Sequence, residues 1–312
     1  MKQNKSAKTS FDVIFDVCKE EKIKYQLLSK DWVIKLNKND KTKYILGYKF
    51  DNNSHALGKI FDDKYAMYCL LKSFDLPVIE HNIIYKEDNE NEYANGCKGY
   101  KYLNELFKKY KSNVVIKVNN GSCGVGVFHS DNYDDLKQEY DRLISSRLSL
   151  SVCPFYDIKN EYRAIFVGNK LKLLYKKIKP VVIGDGKSTI KELLSKFNNN
   201  FFKNYNEENK DNVLKNGEKF EFGWKFNLSK GSISSMEIEG DDKIKIEEIL
   251  NKINEKIELN FCSVDIVKTS QNKFLIMEIN SGVMMDNFIN QHSNGYAIAK
   301  NIYKCAILNM FK

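Results

Sequence analysis

Several things are missing from this 312-residue chain, and each absence excludes a class of protein. No run of about 18 apolar residues occurs, so no membrane-crossing helix is expected, and the basic start MKQNKSAKTS leads into no apolar signal core. The seven cysteines (Cys18, Cys69, Cys97, Cys123, Cys153, Cys262 and Cys305) are odd in number, scattered, and contain no CxxC pair. That pattern excludes a disulfide framework and a zinc site and reads as reduced thiols in a cytoplasmic protein. The formal charge is +9, yet the lysines are spread over the whole length and interleaved with acids. With no basic stripe and no aromatic platform, the balance points away from nucleic acid and towards a basic cleft for an anionic ligand. There is no internal repeat, no Walker A loop and no dinucleotide fingerprint.

What is present is 42% hydrophobic content, enough for one large domain or two to three smaller lobes. The first ten residues are polar and read as a frayed end. KYQLLS, WVIKLN and KYILGYKF then alternate as short strands. The period changes to helical in FDDKYAMYCLLKSFDLPVIEH, where Ala66, Met67, Leu70, Leu71 and Phe74 share a stripe, Asp62 or Asp63 caps, and Pro77 lies beyond the end. A strand over 78–85, a polar loop, and helices over 102–110 and 133–146 follow. From Ser149 the chain is mostly strand (LSVCPF, EYRAIFVG, KLLYKKI), until a helix begins after VVIGDGKSTI with Ser188 or Thr189 as cap. The asparagine-rich segment 198–212 reads as a loop, and two amphipathic helices close the chain.

The stretch VVIKVNNGSCGVGVFHS reads as two short strands around a glycine turn. Strand alternation puts Val114, Ile116 and Val118 on one face and Val115 with Lys117 on the other, so the lysine is aimed at something. A strand rather than a helix follows the turn. The arrangement resembles a flexible glycine hairpin laid over nucleotide phosphates, with a lysine from the adjacent strand reaching them. Cys123 in that turn has no histidine placed beside it by sequence and reads as a small filler rather than a nucleophile. His129 and His292 have no metal-ligand spacing and read as structural or surface residues.

A second hairpin, FCSVDIVKTSQNKFLIMEINSG, carries the densest chemistry. Asp265 shares a face with Phe261, Ser263 and Val267, and Glu278 and Asn280 share one with Phe274 and Ile276. Three oxygen-bearing side chains on an otherwise apolar hairpin suit a hard divalent cation, Mg²⁺ or Mn²⁺, bridging nucleotide phosphates. The same acids are also compatible with a structural role, Asp265 paired to a lysine and Glu278 at a solvated strand end.

Taken in order, DDK ending at Lys64, VVIK ending at Lys117 with NNGSCGVGV, EYR ending at Arg163, VVIGDGKSTI, NLSKG from Asn227, VD at Asp265 and MEIN at Glu278 and Asn280 resemble the ATP-grasp enzymes. The cyanophycin synthetase and bifunctional glutathione synthetase branch is the most similar. The resemblance runs from about residue 24 to the C-terminus. It implies an α+β ATP-grasp fold with the nucleotide between two α+β lobes: a small lobe over 61–150 with the glycine-rich phosphate loop and a large lobe over 151–312 with the metal-binding carboxylates. A small N-terminal lobe over 1–60 precedes them. By position it implies that Lys64 and Lys117 hold ATP phosphates and that the Gly121, Ser122, Gly124, Gly126 loop closes over them. Cys153 to Phe155 would form the hinge facing adenine, and Glu161 would stand at the ribose. Arg163, Lys177 and Asn227 would face the transferred phosphate and acyl intermediate, and Asp265, Glu278 and Asn280 would ligate magnesium.

Two departures bear on the substrate. Lys177 stands where relatives often carry arginine, which keeps the charge and loses the bidentate fork. EINSGVMMDNF lacks the Pro-Gly that often follows the family's Glu-x-Asn. The resemblance implies a carboxylate-amine ligase that uses ATP and Mg²⁺ (or Mn²⁺), acts on small-molecule or peptide acids and amines, and works in the cytoplasm without nucleic acid or membrane partners, with a homodimer compatible with the family. The alternative on the same scaffold is a small-molecule kinase.

Overall fold

In the computed structural model the structure describes residues 7–121, 124–197, 208–223, 225, 226, 228 and 231–312. Ser122, Cys123, Asn227 and most of the asparagine-rich segment lie outside the described residues.

A helix that the sequence reading does not name begins at the last of the ten residues read as frayed. In α1 (Ser10–Glu20) the Thr9 hydroxyl accepts from the Asp12 amide and the Asp12 carboxylate accepts from the Thr9 amide, a complete capping box. Val13, Ile14, Val17 and Cys18 make its buried stripe. An antiparallel meander of β1 (Lys24–Leu28), β2 (Val33–Lys38), β3 (Lys41–Leu46) and β4 (Lys49–Phe50) follows. Its inner residues Ile34, Leu36, Ile45 and Phe50 share one core with α1 and with Ile302, Tyr303, Ile307 and Met310 of the final helix, Gly295–Met310. The two ends of the chain are therefore packed together.

Next come α2 (His55–Asp62) and α3 (Lys64–Ser73), the latter capped by Asp63, whose carboxylate accepts from the Ala66 amide at 2.8 Å. The small lobe is built from β5 (Asn82–Tyr85), α4 (Gly99–Lys109), β6 (Val114–Val118), β7 (Val127–Ser130), α5 (Tyr133–Ile144) and β8 (Ser149–Pro154). Its sheet runs β5-β8-β6-β7, all antiparallel. Val114, Ile116, Val118, Leu150 and Val152 on one face pack on Leu103, Leu106 and Phe107 of α4 and on Leu136, Leu143 and Ile144 of α5.

The large lobe contains β9 (Ile158–Val167), β10 (Lys170–Ile178), β11 (Val181–Ile183), α6 (Ile190–Phe197), β12 (Lys219–Glu221), β13 (Ile233–Ser235), α7 (Gly240–Lys256), β14 (Phe261–Thr269), β15 (Phe274–Asn280), α8 (Asp286–Gln291) and α9 (Gly295–Met310). Its main sheet runs β13-β10-β9-β14-β15. On one face Tyr162, Ala164, Phe166, Val264 and Ile266 pack on Ile246, Leu250 and Ile253 of α7 and on Phe61, Met67 and Leu71 of the α2–α3 pair. The other face changes character along the strands. At one end Ile165, Val167, Leu173, Tyr175 and Phe261 join the N-terminal core, and two residues further along alternate positions become Arg163, Glu161, Lys177 and Asp265. That charged end faces the small lobe.

Candidate functional site

The alternation that aims Lys117 is the alternation of the small sheet. Because Val114, Ile116 and Val118 fill the α4–α5 core, Val115 and Lys117 must project to the opposite side. Directly opposed residues of an antiparallel pair share a face, so Cys153 (opposite Val115) and Ser151 (opposite Lys117) project there too. Val115 and Cys153 meet Ile79 and Val267 in a buried cluster flanked by Phe155, Tyr156, Leu275 and Met277. This is an apolar contact between the two sheets, on the same face of the small sheet as Lys117. The Phe155 amide donates to the Asn113 carbonyl at 3.0 Å, and the Phe155 ring lies 4.0 Å from that of His129.

Lys64, the first residue of α3, is 6% exposed. Its Nζ donates to the carbonyls of Gly121 (2.7 Å) and Asn119 (3.2 Å) and lies 3.4 Å from Glu278 Oε1. Burial lowers its basicity, Glu278 opposes that shift, and the Lys117 charge adds to it. Lys64 thereby ties the start of the glycine turn to the carboxylate hairpin. Within the turn Gly124 and Gly126 have φ of +66° and +63°. A Cβ at Gly126 would come within 3.0 Å of Val118 and 3.1 Å of Leu143, so the turn needs glycine there both for backbone sign and for space.

On the facing wall, register places Arg163 opposite Asp265 and Glu161 opposite Lys177. Arg163 grips Asp265 with both arms of its fork, Nε to Oδ1 at 2.7 Å and a terminal nitrogen to Oδ2 at 2.6 Å. Lys177 Nζ donates to Asp265 Oδ1 at 3.1 Å and to Glu161. Asp265 is 1% exposed. Burial alone would raise its pKa, but Arg163 and Lys177 outweigh burial and hold it at about 2. For Glu161 burial wins over the pull of Lys177, and its pKa is raised. Register thus gives the residue anticipated at the ribose a lysine partner. Asp265 thus has the lysine partner that the structural reading of the sequence allowed, with Arg163 added to it.

Glu278 lies directly opposite Asp265, and Asn280 directly opposite Ser263, so all three anticipated metal donors share one face. Two carboxylates and an amide fit a hard divalent ion by donor chemistry. Asp265 already carries two cations, which leaves Glu278 and Asn280 with the freer oxygens. Among the described residues no group of three or more His, Cys, Asp or Glu side chains could hold a metal alone, so nucleotide phosphates would have to complete the shell.

No protein-family model matches the sequence, and no curated protein matches it. Solved structures do. A bifunctional glutathione synthetase from Pasteurella multocida superposes with a TM-score of 0.53 at 15% identity, over 94% of this chain and 44% of that one. A D-alanine–D-alanine ligase from Bacillus anthracis superposes with a TM-score of 0.53 at 14% identity, over 81% of this chain and 68% of that one. The chain has the ATP-grasp fold. It spans less than half the length of that glutathione synthetase. The fold matches the α+β architecture that the motifs imply, and no described helix is long and apolar enough to cross a membrane.

The structure joins Gly121 and Glu278 through Lys64, and Glu161, Arg163, Lys177 and Asp265 through one ion-pair array, with Glu278 opposite Asp265. Two further groups were not singled out by sequence. Ser234 sits opposite Lys177 on the edge strand β13, and its hydroxyl lies 2.7 Å from Gln291 Oε1 and 2.9 Å from His292 Nε2. His81, entirely buried, lies against Ser151 of β8. Neither belongs to a spacing motif, and only the tertiary fold places them.

Proposed function

We propose that this chain is an ADP-forming ligase that joins a carboxylate to an amine, with Mg-ATP held between the two walls of the cleft. The observation that supports it is one cleft holding an apolar surface, two lysines on one side (Lys64 and Lys117) and a fixed array of Arg163, Lys177 and Asp265 on the other. The adenine would lie against the apolar surface around Val115, Cys153, Ile79 and Val267. The triphosphate would run from it across Lys117 and Lys64 under the glycine turn.

Asp265, Glu278 and Asn280 would hold magnesium, which when bound supplies charge neutralisation to the phosphates. This chain's residues supply the rest. Arg163 and Lys177, fixed by Asp265 and Glu161, stabilise negative charge on the transferred phosphoryl group. A substrate carboxylate oxygen attacks the γ-phosphorus, the bond to the β-phosphate oxygen breaks, and ADP leaves with that electron pair. The amine nitrogen then attacks the acyl carbon, the acyl–phosphate C–O bond breaks, phosphate leaves, and the nitrogen loses a proton to give the amide. Closure of the lobes keeps water from the acyl phosphate. Ser234, opposite Lys177, and His292 on its hydroxyl would lie towards the substrate end.

An ADP-release screen of amino acids and dipeptides, alone and in pairs, tests this reading. ADP release that requires an acid and an amine together supports it. Phosphorylation of a single substrate with no amine dependence makes the chain a kinase on the same scaffold, and no ADP with any pair removes the ligase assignment.

A further inference from the structure

His81 stands at the junction of the two sheets. The segment leading to it is pinned to β15, the Ile79 amide donating to the Ile276 carbonyl at 3.0 Å and the Ile276 amide to the Pro77 carbonyl at 2.7 Å. The chain then enters β5. His81 Nδ1 lies 2.7 Å from Ser151 Oγ. Ser151 is opposite Lys117 in the β6–β8 pair, on the face turned away from the α4–α5 core, so the imidazole lies on the Lys117 face of the small sheet.

Two features of this histidine are unusual for a packing residue. It is 0% exposed, yet its Nε2 has no hydrogen-bond partner. Buried polar atoms are nearly always bonded, and a buried nitrogen left without a partner calls for an occupant. Its surroundings are also cationic. Burial, then Lys117 and Lys64, hold the ring neutral. Lys117, which pairs with no described carboxylate, and the neutral imidazole beside it form an anion site in waiting, with the Lys64 ammonium, already bonded to Asn119, Gly121 and Glu278, adding its charge.

Building on the nucleotide reading above, we propose that His81 is a third donor of the polyphosphate cradle, its Nε2–H hydrogen-bonding a phosphate oxygen of the nucleotide held by Lys64 and Lys117. Ser151 makes this possible, because a hydroxyl can donate as well as accept. With the Ser151 proton given to Nδ1, the ring proton resides on Nε2, which is left without a partner. A neutral donor fixed at its far edge by Ser151 adds direction to the charge that the lysines supply. The resemblance of the motifs to known ligases assigns the lysines; it assigns nothing to this position.

The test uses the whole chain and its small histidine count, four, which makes imidazole ¹⁵N spectra assignable. Spectra are recorded free, with adenosine, with inorganic tripolyphosphate, and with a magnesium-bound non-hydrolysable ATP analogue. The His81 Nε2 signal should move to a donor-bonded position with tripolyphosphate and the analogue and stay in place with adenosine. His81→Asn keeps a polar atom near Ser151 and removes Nε2, and should weaken tripolyphosphate and analogue binding about tenfold or more while adenosine binding is unchanged. His81→Gln, which returns an amide nitrogen near the Nε2 position, should recover part of the loss. A wild-type protein that binds the analogue with the Nε2 signal unmoved overturns the proposal and leaves the nucleotide reading intact, as does unchanged affinity in His81→Asn. A wild-type protein that binds neither phosphate ligand overturns both.

Discussion

The two walls of the cleft handle charge in opposite ways. On the large-sheet wall the charges are answered before any ligand arrives: Asp265 by Arg163 and Lys177, and Glu161 by Lys177, all on three neighbouring strands. On the small-lobe wall Lys117 has no ion pair among the described residues, and the Nε2 of His81 has no partner. The first wall is preorganised, so its cations keep their geometry without reorganising when a phosphoryl group moves. The second presents donors whose partners must come from outside. One wall should therefore couple function to folding stability, and the other should affect ligand binding almost alone.

The largest expected effect breaks the first wall. Asp265→Asn leaves the partly exposed Arg163 without its carboxylate and Lys177 with Glu161 alone, which should destabilise the fold by about 1–3 kcal/mol. It should also slow ATP turnover about a hundredfold or more. Chemical denaturation and ADP release measure the two, and unchanged stability would show that this wall is not assembled in the way described.

Lys117→Met should produce the opposite pattern. ATP affinity should fall roughly 10- to 100-fold, the contribution of one charge-assisted contact. The melting temperature should hold or rise, because Lys117 makes no described ion pair and its charge opposes that of Lys64. A clear drop in melting temperature would mean that the small-lobe wall is structural after all.

A pH titration of stability sharpens the contrast. The Asp265 pKa is about 2 in the folded chain against an ordinary 3.8. A group depressed on folding stabilises above its unfolded pKa, so this contribution is complete above about pH 4 and is lost as pH falls towards 2. Denaturation midpoints followed from pH 5 to 2 should show that loss in the wild type and less of it in Asp265→Asn. The smallest effect belongs to the glycine turn. Gly126→Ala forces a side chain into positive φ and against Val118 and Leu143, and should destabilise by roughly 1–2 kcal/mol in thermal or chemical melts.

How much of this was legible in the sequence follows from the range of each signal. Strand alternation is local, so the aim of Lys117 could be read directly. The same rule put Glu278 and Asn280 on the face of Phe274 and Ile276, and there it failed: a bulge after the Asp265–Glu278 pair switches the face, so Phe274 and Ile276 enter the α7 core while Glu278 joins Asp265 on the other side. Helix α3 was legible from its stripe and from Asp63, which caps as the sequence allowed. Helix α1 was passed over although Thr9, Asp12 and the Val13, Ile14, Val17, Cys18 stripe were all present, because the polar residues before it suggested an unstructured end. The partnership of Glu161 with Lys177 depends on register between β9 and β10, which no local pattern states. His81 was invisible for a similar reason: an isolated histidine after Leu-Pro-Val-Ile-Glu carries no spacing, and its meaning comes from Ser151 and Lys117, residues distant in the chain.

The central claim is that these two walls close on a nucleoside triphosphate, and a melting titration tests it most directly. Adding Mg-ATP to the wild-type chain should raise the melting temperature progressively, with stabilisation of about 2.7 kcal/mol at a hundredfold excess over Kd. Adenosine alone should give a much smaller shift, since it brings no phosphate to Lys117 and His81. A melting temperature that stays constant up to millimolar Mg-ATP would contradict the account.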